Sequence, residues 1–377
     1  MSDPRWHGAT RVVHAGLPDA VPGTPYLPGP VFAAPFHAPG DPAASPHTYG
    51  RFSNPTWHQY ELALADLEGG PCVLFPSGMA ATAALLATMA PPGSTVVMLD
   101  TAYYTTRVIA TEAFAGAWFA AQGITVRLIS AADLTDHATF DGAALVWLES
   151  PTNPQLDVCD IAALSSAAHA AGALVVVDNT TATPLLQQPL ALGADFAVVS
   201  DTKAMTGHAD VILGHVAARD PAHAEVLRTW RTRMGVIPGP MEVWLAHRSL
   251  STLDVRLARQ CESAIAVAIM LAAHPAVHAV RYPGLAHDPS YAIASTQMAR
   301  FGGVISFTLA DAESVARFFA ASRLVHEATS FGGVHTSAER RARWGGDAVP
   351  EGFVRLSIGL EDVRDLLHDL TVALAAV

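Results

Sequence analysis

The chain has 377 residues, 51% of them hydrophobic and only 15% charged, with a formal net charge of −12. That composition supplies a large core and excludes a disordered chain, and the lack of a basic block excludes a nucleic-acid binder. Three widely spaced cysteines, Cys72, Cys159 and Cys261, form no paired motif, which excludes a disulfide framework and fits a reducing compartment. The first residues show no apolar signal core, and the apolar run over 264–273 is cut by His274-Pro275, too short to span a bilayer. The expectation is a soluble cytoplasmic protein with one large domain, one smaller one and buried subunit interfaces.

In chain order, residues 1–55 are too rich in proline and glycine for regular structure, yet Phe32, Phe36 and Tyr49 give them apolar surface. They predict an ordered arm laid on another surface, such as a neighbouring subunit. An amphipathic helix over 57–67 follows, stopped at Gly69-Gly70. Strands are expected over 72–75, 95–99, 125–129, 144–148, 174–177, 196–199 and 211–216, with helices over 79–89, 106–121 and 161–170 between them. This alternation builds an α/β domain, residues 56–240, whose mostly parallel sheet is covered on both faces. A long helix over 240–274 leads into a smaller C-terminal α+β domain, 241–377, with strands over 304–309 and 354–358 and helices over 313–321 and 361–375.

Chemistry collects where the strands end. Ser77, Gly78 and Met79 open a helix, and a helix N-terminus with a glycine is an anion site; a plain helix cap uses the same residues. Tyr103 could lie against a flat ring, or simply pack. Asn153 offers a neutral donor on a loop stiffened by Pro151 and Pro154, or makes a turn. Asp178 ends an apolar run on the ligand side of an open α/β sheet. Ser200 and Thr202 bring hydroxyls beside Lys203, the only lysine in the chain. Arginine serves most structural uses of a basic residue, but its guanidinium stays protonated and cannot act as a nucleophilic amine. A desolvated lysine can attack a carbonyl. Taken singly, Lys203 also fits a chance surface position and Asp178 a strand-end cap. Together they supply what pyridoxal phosphate requires, a lysine for its aldehyde and a carboxylate for its pyridinium nitrogen. A zinc site from His208, Asp210 and His215 competes, short of ligands, as does a non-enzymatic binding module, which has no use for a reactive amine.

The chain resembles the Cys/Met-metabolism family of pyridoxal-phosphate enzymes. The resemblance is carried, in family order, by Thr48-Tyr49-Gly50-Arg51-Phe52-Ser53-Asn54-Pro55-Thr56, Ser77-Gly78-Met79-Ala80, Glu149-Ser150-Pro151-Thr152-Asn153-Pro154, Asp178-Asn179-Thr180, Ser200-Asp201-Thr202-Lys203, Gly207-His208-Ala209-Asp210 and Arg355-Leu356-Ser357-Ile358-Gly359-Leu360-Glu361-Asp362. It implies a fold type I enzyme, typically a homotetramer built of dimers that share their active sites. It implies that Lys203 bonds to the cofactor and moves protons, Asp178 pairs with the ring nitrogen, and Tyr103 stacks on the ring. Asn153 would meet the phenolic oxygen. Ser77, Gly78, Met79, Ser200 and Thr202 would bind the phosphate, with Tyr49 and Arg51 reaching it from a neighbouring subunit. Arg355 would clamp the substrate carboxylate; an ion pair with Glu351 or Glu361 is its plain structural use.

Three departures from the family pattern bear on the substrate. Tyr103-Tyr104-Thr105-Thr106 stands where members often read Tyr-Gly-Gly-Thr. Ser330-Phe331-Gly332-Gly333-Val334-His335-Thr336 stands for Ser-Leu-Gly-Gly-x-Glu-Ser, so Ser330 and His335 are the substrate-side residues there, His335 replacing an acid near the distal end. Arg248-Ser249-Leu250-Ser251-Thr252-Leu253 replaces Arg-Gly-Leu-Lys-Thr-Leu. The resemblance implies an amino-acid substrate and a γ-eliminating lyase acting on cystathionine. γ-Replacement on an activated homoserine, methionine γ-lyase and β-lyase activity are the alternatives.

Overall fold

A computed structural model describes residues 6–111 and 121–377. Residues 1–5, at the N-terminus read for a signal core, and 112–120, within the helix expected over 106–121, lie outside the described residues. β1 (Cys72–Phe75), β2 (Thr95–Leu99), β3 (Thr125–Ile129), β4 (Ala143–Glu149), β5 (Leu174–Asp178), β6 (Phe196–Val199) and β7 (Gly214–Ala218) form one sheet in the order β1-β7-β6-β5-β4-β2-β3. β1 to β6 all run the same way; β7 lies antiparallel between β1 and β6. The sheet is mostly parallel, as expected, with β7 the exception.

The helices are α1 (Gly8–His14), α2 (Pro55–Glu68), α3 (Gly78–Met89), α4 (Tyr104–Thr111), α5 (Ile161–Ala170), α6 (Pro221–Met234), α7 (Pro240–Leu250), α8 (Leu253–Ala273), α9 (Tyr291–Gln297), α10 (Ala312–Ala321) and α11 (Val363–Leu374). Side chains alternate along a strand, so each sheet face needs its own cover. Val73, Phe75, Phe196, Val198 and Val216 pack with α3, α5 and α6. Leu74, Ala197, Val199 and Ala217 pack on the other face with α2, α7 and α8. The entry to α2 is fixed by Asn54, whose side chain accepts from Thr56 N, and by Pro55 at the first helical position; its end is fixed by Gly69 at φ 83°.

A second sheet, in the order β10-β11-β12-β9-β8, contains β8 (Ala279–Arg281), β9 (Val304–Thr308), β10 (His326–Glu327), β11 (Ser337–Arg340) and β12 (Phe353–Ser357). α8, α10 and α11 supply its apolar cover. No helix among the described residues is long and apolar enough to cross a membrane.

Two expected elements are corrected. The helix expected over 240–274 is two helices, broken at Ser251-Thr252. Buried Arg256 takes the carbonyl of Ser249 at 3.1 Å and the hydroxyl of Thr252 at 3.2 Å, and side chains that bond the backbone locally compete with the helix ladder. The strand expected over 211–216 begins only at Gly214. Both backbone groups of Leu213 are taken by Thr202, whose hydroxyl donates to Leu213 O and accepts from Leu213 N at 3.1 Å each.

Candidate active site

Because β1 to β6 point the same way, the segments leaving β1, β2, β4, β5 and β6 meet at one edge of the sheet, where a ligand is expected in an open α/β fold. A cleft of about 230 Å³ opens there. Ser77, Gly78, Met79, Tyr103, Asn153, Asp178, Ser200, Thr202 and Lys203 all line it.

The first turn of α3 makes one end. Ser77 Oγ caps Ala80 N at 3.0 Å. The first amides of a helix have no partner inside it and favour an anion. Gly78 is required here by contact: a Cβ would come within 2.7 Å of Ser200 Cβ. Gly214 closes the other side, since a Cβ there would meet Gly78 N at 2.6 Å. The hydroxyl of Thr202 is engaged with Leu213, so Thr202 lines the cleft with its hydroxyl committed elsewhere.

At the other end lies Lys203. Its Nζ donates to Ser330 Oγ at 2.8 Å. Burial, then the charge of Arg355, lowers its pKa to about 8, so a useful fraction of the amine is neutral near physiological pH. Asp178 accepts from Thr180 N at 3.0 Å. Burial raises its carboxyl above the ordinary value, with the Thr180 hydrogen bonds and Lys203 pulling it back. A desolvated carboxylate of this kind is matched to a cationic ring N–H. An amine, a carboxylate, an aromatic face at Tyr103 and a helix N-terminus around one cleft therefore fit pyridoxal phosphate group by group.

Glu149 was not singled out from sequence, yet the strand-end argument that found Asp178 applies to it equally. It is buried at the end of β4 and accepts from Tyr103 N at 2.6 Å and Asn153 N at 2.8 Å. It thereby fixes two residues that line the cleft. Burial, then the nearby Asp178, raises its pKa well above the usual range. Thr106, Thr180, Ile212 and Phe331 also line the cleft; Thr180 lies in a family motif and Thr106 and Phe331 in departures from one, while Ile212 carried no sequence signal.

Arg355 stands on β12, with Glu339 of β11 as its direct cross-strand neighbour. It donates to Asn153 Oδ1 at 2.6 Å, to Ser330 O at 2.9 Å, and forms a buried ion pair with Glu339. Glu339, rather than Glu351 or Glu361, is its acidic partner. Glu351 pairs with Arg340, and Glu361 accepts from Thr336. Burial lowers the Arg355 pKa to about 10, against the pull of Glu339, which leaves it cationic at neutral pH.

Tyr49, Arg51 and His335 do not line this cleft among the described residues. Arg51 donates to Thr232 O at 2.8 Å and lies over the rings of Phe52 and Tyr49. His335 is exposed and packs edge-on against His326. His215 turns away from His208 and Asp210, bonding Asp201 at 2.8 Å and Glu68 at 3.1 Å. Among the described residues no group of three or more His, Cys, Asp or Glu is placed to hold a metal ion.

Comparison with known proteins agrees with this geometry. The family model for Cys/Met metabolism PLP-dependent enzymes matches residues 33–375. The chain is 52% identical over 370 residues to a putative cystathionine gamma-lyase of Streptomyces coelicolor, covering 97% of this chain and 93% of the relative. It is 40% identical to the cystathionine gamma-synthase of Mycobacterium tuberculosis, covering 97% and 96%. The solved structure of metB from Corynebacterium glutamicum superposes with a TM-score of 0.93 at 36% identity, covering 99% of both chains. With the cleft chemistry and a match over nearly the whole length, the chain belongs to the Cys/Met metabolism family of pyridoxal-phosphate-dependent enzymes, and its reaction class is that of the cystathionine γ-lyase and γ-synthase type.

Proposed function

We propose that the protein is a cystathionine γ-lyase, which with water converts cystathionine to cysteine, 2-oxobutyrate and ammonia. The observation that carries this reading is the 52% identity to the Streptomyces relative of that name, against 40% to the γ-synthase. The reading includes a cytoplasmic homotetramer of three-part chains: an arm, 1–55, reaching a neighbouring subunit, a cofactor domain, 56–240, and a C-terminal domain, 241–377.

Pyridoxal phosphate, when bound, supplies an aldehyde for an amine and an electron-withdrawing ring that stabilises charge at a carbon losing its proton. Lys203 would hold the aldehyde, then take and return protons at the substrate carbons, its lowered pKa suiting both directions. Ser330 Oγ, at 2.8 Å from Nζ, orients that amine. Asp178 would keep the ring nitrogen protonated, with Tyr103 against the ring and Asn153 near its phenolic oxygen. The α3 N-terminus at Ser77, Gly78 and Met79, with Ser200, would take the phosphate, completed by Tyr49 and Arg51 of another subunit; Thr202 would join them only by releasing its hydroxyl from Leu213. Arg355 would hold the α-carboxylate. His335 would act near the distal end of the substrate only where the assembled enzyme brings it there.

γ-Replacement on an activated homoserine is the second reading, favoured by the 40% identity to the cystathionine gamma-synthase of Mycobacterium tuberculosis and by the superposition, at TM-score 0.91 and 34% identity, on the solved cystathionine gamma synthase of Xanthomonas oryzae. Product analysis separates the two. Purified enzyme with cystathionine should release 2-oxobutyrate and cysteine. Release of pyruvate and homocysteine would move the reading to a β-lyase. Methanethiol from methionine at comparable kcat/KM would move it to a methionine γ-lyase. Cystathionine formed from an activated homoserine and cysteine, with no keto acid from cystathionine, would establish the synthase.

A further inference from the structure

Phe331 stands at the centre of the groups an amino acid must engage. Its ring lines the cleft and is 8% exposed. Lys203 Nζ lies 5.3 Å from the ring centroid and the Arg355 guanidinium carbon 5.1 Å from it. Arg355 is 3% exposed and is not among the described residues that line the cleft. Of its neighbours, Phe331 and Asn153 do line it, and Asn153 already accepts from Arg355. A carboxylate entering the cleft therefore meets the ring before it meets the guanidinium.

The backbone around the ring is pinned. Ser330 holds both cations, Lys203 through its hydroxyl and Arg355 through its carbonyl, and adopts φ 80°. Gly332 N donates to Ser357 Oγ at 2.8 Å. Gly332 has φ 81°, and a Cβ on it would come within 2.6 Å of Ala204 N. With the backbone held, only a rotation of the Phe331 side chain can uncover what lies behind it. It rests on Leu156 and Val304, a small apolar cluster separate from the main cores. Attraction of two cations to one ring favours the covered position. A carboxylate that reaches Arg355 replaces that attraction with charge-assisted hydrogen bonds, which are stronger.

We propose that Phe331 is a specificity-determining gate over Arg355: its ring covers the guanidinium in the resting cleft and swings aside for a carboxylate, so it sets how readily amino acids, as opposed to simple amines, are admitted. The proposal rests on the reading of Arg355 as the carboxylate clamp. If the ring covers Arg355 about nine-tenths of the time, the apparent affinity for a carboxylate falls about tenfold. Tenfold is about 1.4 kcal/mol, within the range of two cation–π contacts.

The test uses the cofactor-loaded enzyme and two ligands, L-alanine and ethylamine, which lacks the carboxylate. Binding is followed by the absorbance of the bound cofactor. In Phe331→Leu, L-alanine should bind about tenfold tighter, with ethylamine unchanged. Equal changes for both ligands, or none, would overturn the gate. Phe331→Met keeps the side-chain volume more nearly and serves where the leucine variant loses cofactor. A second readout needs no cofactor: in the cofactor-free protein, phenylglyoxal should modify Arg355 several-fold faster in Phe331→Leu than in the parent, scored on the Arg355 peptide by mass spectrometry. An unchanged rate there also counts against the gate. Arg355→Ala separates the two ideas. If it leaves L-alanine binding unaltered, the clamp reading itself fails; if it weakens L-alanine while the Phe331 variants do nothing, the gate alone fails.

Discussion

Glu149 and Asp178 are direct neighbours in register at the ends of β4 and β5, and among the described residues neither forms an ion pair. Burial is the main reason both carboxyls titrate above their ordinary values, and for Glu149 the proximity of Asp178 adds to it. The cofactor-free folded chain thus keeps protons that the unfolded chain has lost. The stability this lends is full below the ordinary carboxylate range and is lost as pH rises through the raised values. In urea unfolding of the cofactor-free protein at a series of pH values, all below the Lys203 value of about 8, the pair's contribution to stability should fall as pH rises, read as the difference between the parent and Asp178→Asn. The slope is at most about 1.4 kcal/mol per pH unit for each proton. Asp178→Asn should flatten it, and so should added pyridoxal phosphate. Because His215, His47 and His247 also titrate differently in the folded chain within this window, the difference between parent and variant is the readout: a slope unchanged by Asp178→Asn would refute the pair as drawn.

Lys203 being the only lysine, amine chemistry on this protein reports one side chain. Reductive methylation of the cofactor-free protein, scored on the Lys203 peptide, should show half-maximal rate near pH 8, well below an ordinary lysine at roughly 10.4. Arg355 is the second cause of that depression after burial. Arg355→Met should therefore shift the midpoint upward. Borohydride treatment of cofactor-loaded enzyme should fix the cofactor on the same peptide, and Lys203→Arg should abolish that adduct. A midpoint above pH 10 in the parent would contradict the buried, desolvated amine.

His215 lies fully buried between Asp201 Oδ1 and Glu68 Oε1. Burial alone would lower its pKa, but Asp201 and Glu68 outweigh it and raise the value to about 10. The imidazolium ties the turn carrying Lys203 to β7 and to the end of α2. A raised pKa lends stability that is full below the unfolded histidine value and is lost as pH rises through about 10. Removing it leaves two buried carboxylates without a cation. His215→Ala should cost about 3–5 kcal/mol at neutral pH, and the loss should shrink toward pH 10 as the parent weakens. Denaturant midpoints for both proteins at pH 7 and pH 10 check this. An equal loss at both values would mean that the histidine acts by packing alone.

The sequence was most readable where chemistry and periodicity coincide. Lys203 and Asp178 sit at the ends of apolar strands, and both fall in the cleft as the strand-end rule expects. Less was readable where contacts come from distant parts of the chain. The pairing of Arg355 with Glu339 depends on the β11–β12 register, which no local pattern fixes, so the nearer Glu351 and Glu361 looked equally suitable. The β7 start depends on the hydroxyl of Thr202, and the break between α7 and α8 on the guanidinium of Arg256, which is held from across the fold by the carbonyls of Ala204 and Met205. Phe331 reads as an ordinary core residue until two cations are found beside its ring.

Arg51 gives the sharpest test of the proposed assembly. Within its own chain it reaches Thr232 O on α6 and not the cleft, while the arm before it leaves large apolar side chains open, Tyr26 at 90% and Phe32 at 69% exposure. In the proposed assembly another chain would cover these aromatics. If Arg51 completes a neighbour's phosphate site, Arg51→Ala should weaken cofactor binding by about 1.5–3 kcal/mol, the worth of a charge-assisted contact. Arg51→Ala chains and Lys203→Ala chains should each be nearly inactive alone at limiting cofactor. Mixed and reassembled at equal amounts, a two-fold dimer sharing its sites has one unimpaired site in each hybrid. Random mixing makes half the dimers hybrids, so roughly a quarter of wild-type activity should return. Should Arg51 serve its own subunit instead, every hybrid site carries a defect, and verified hybrids would show no recovery.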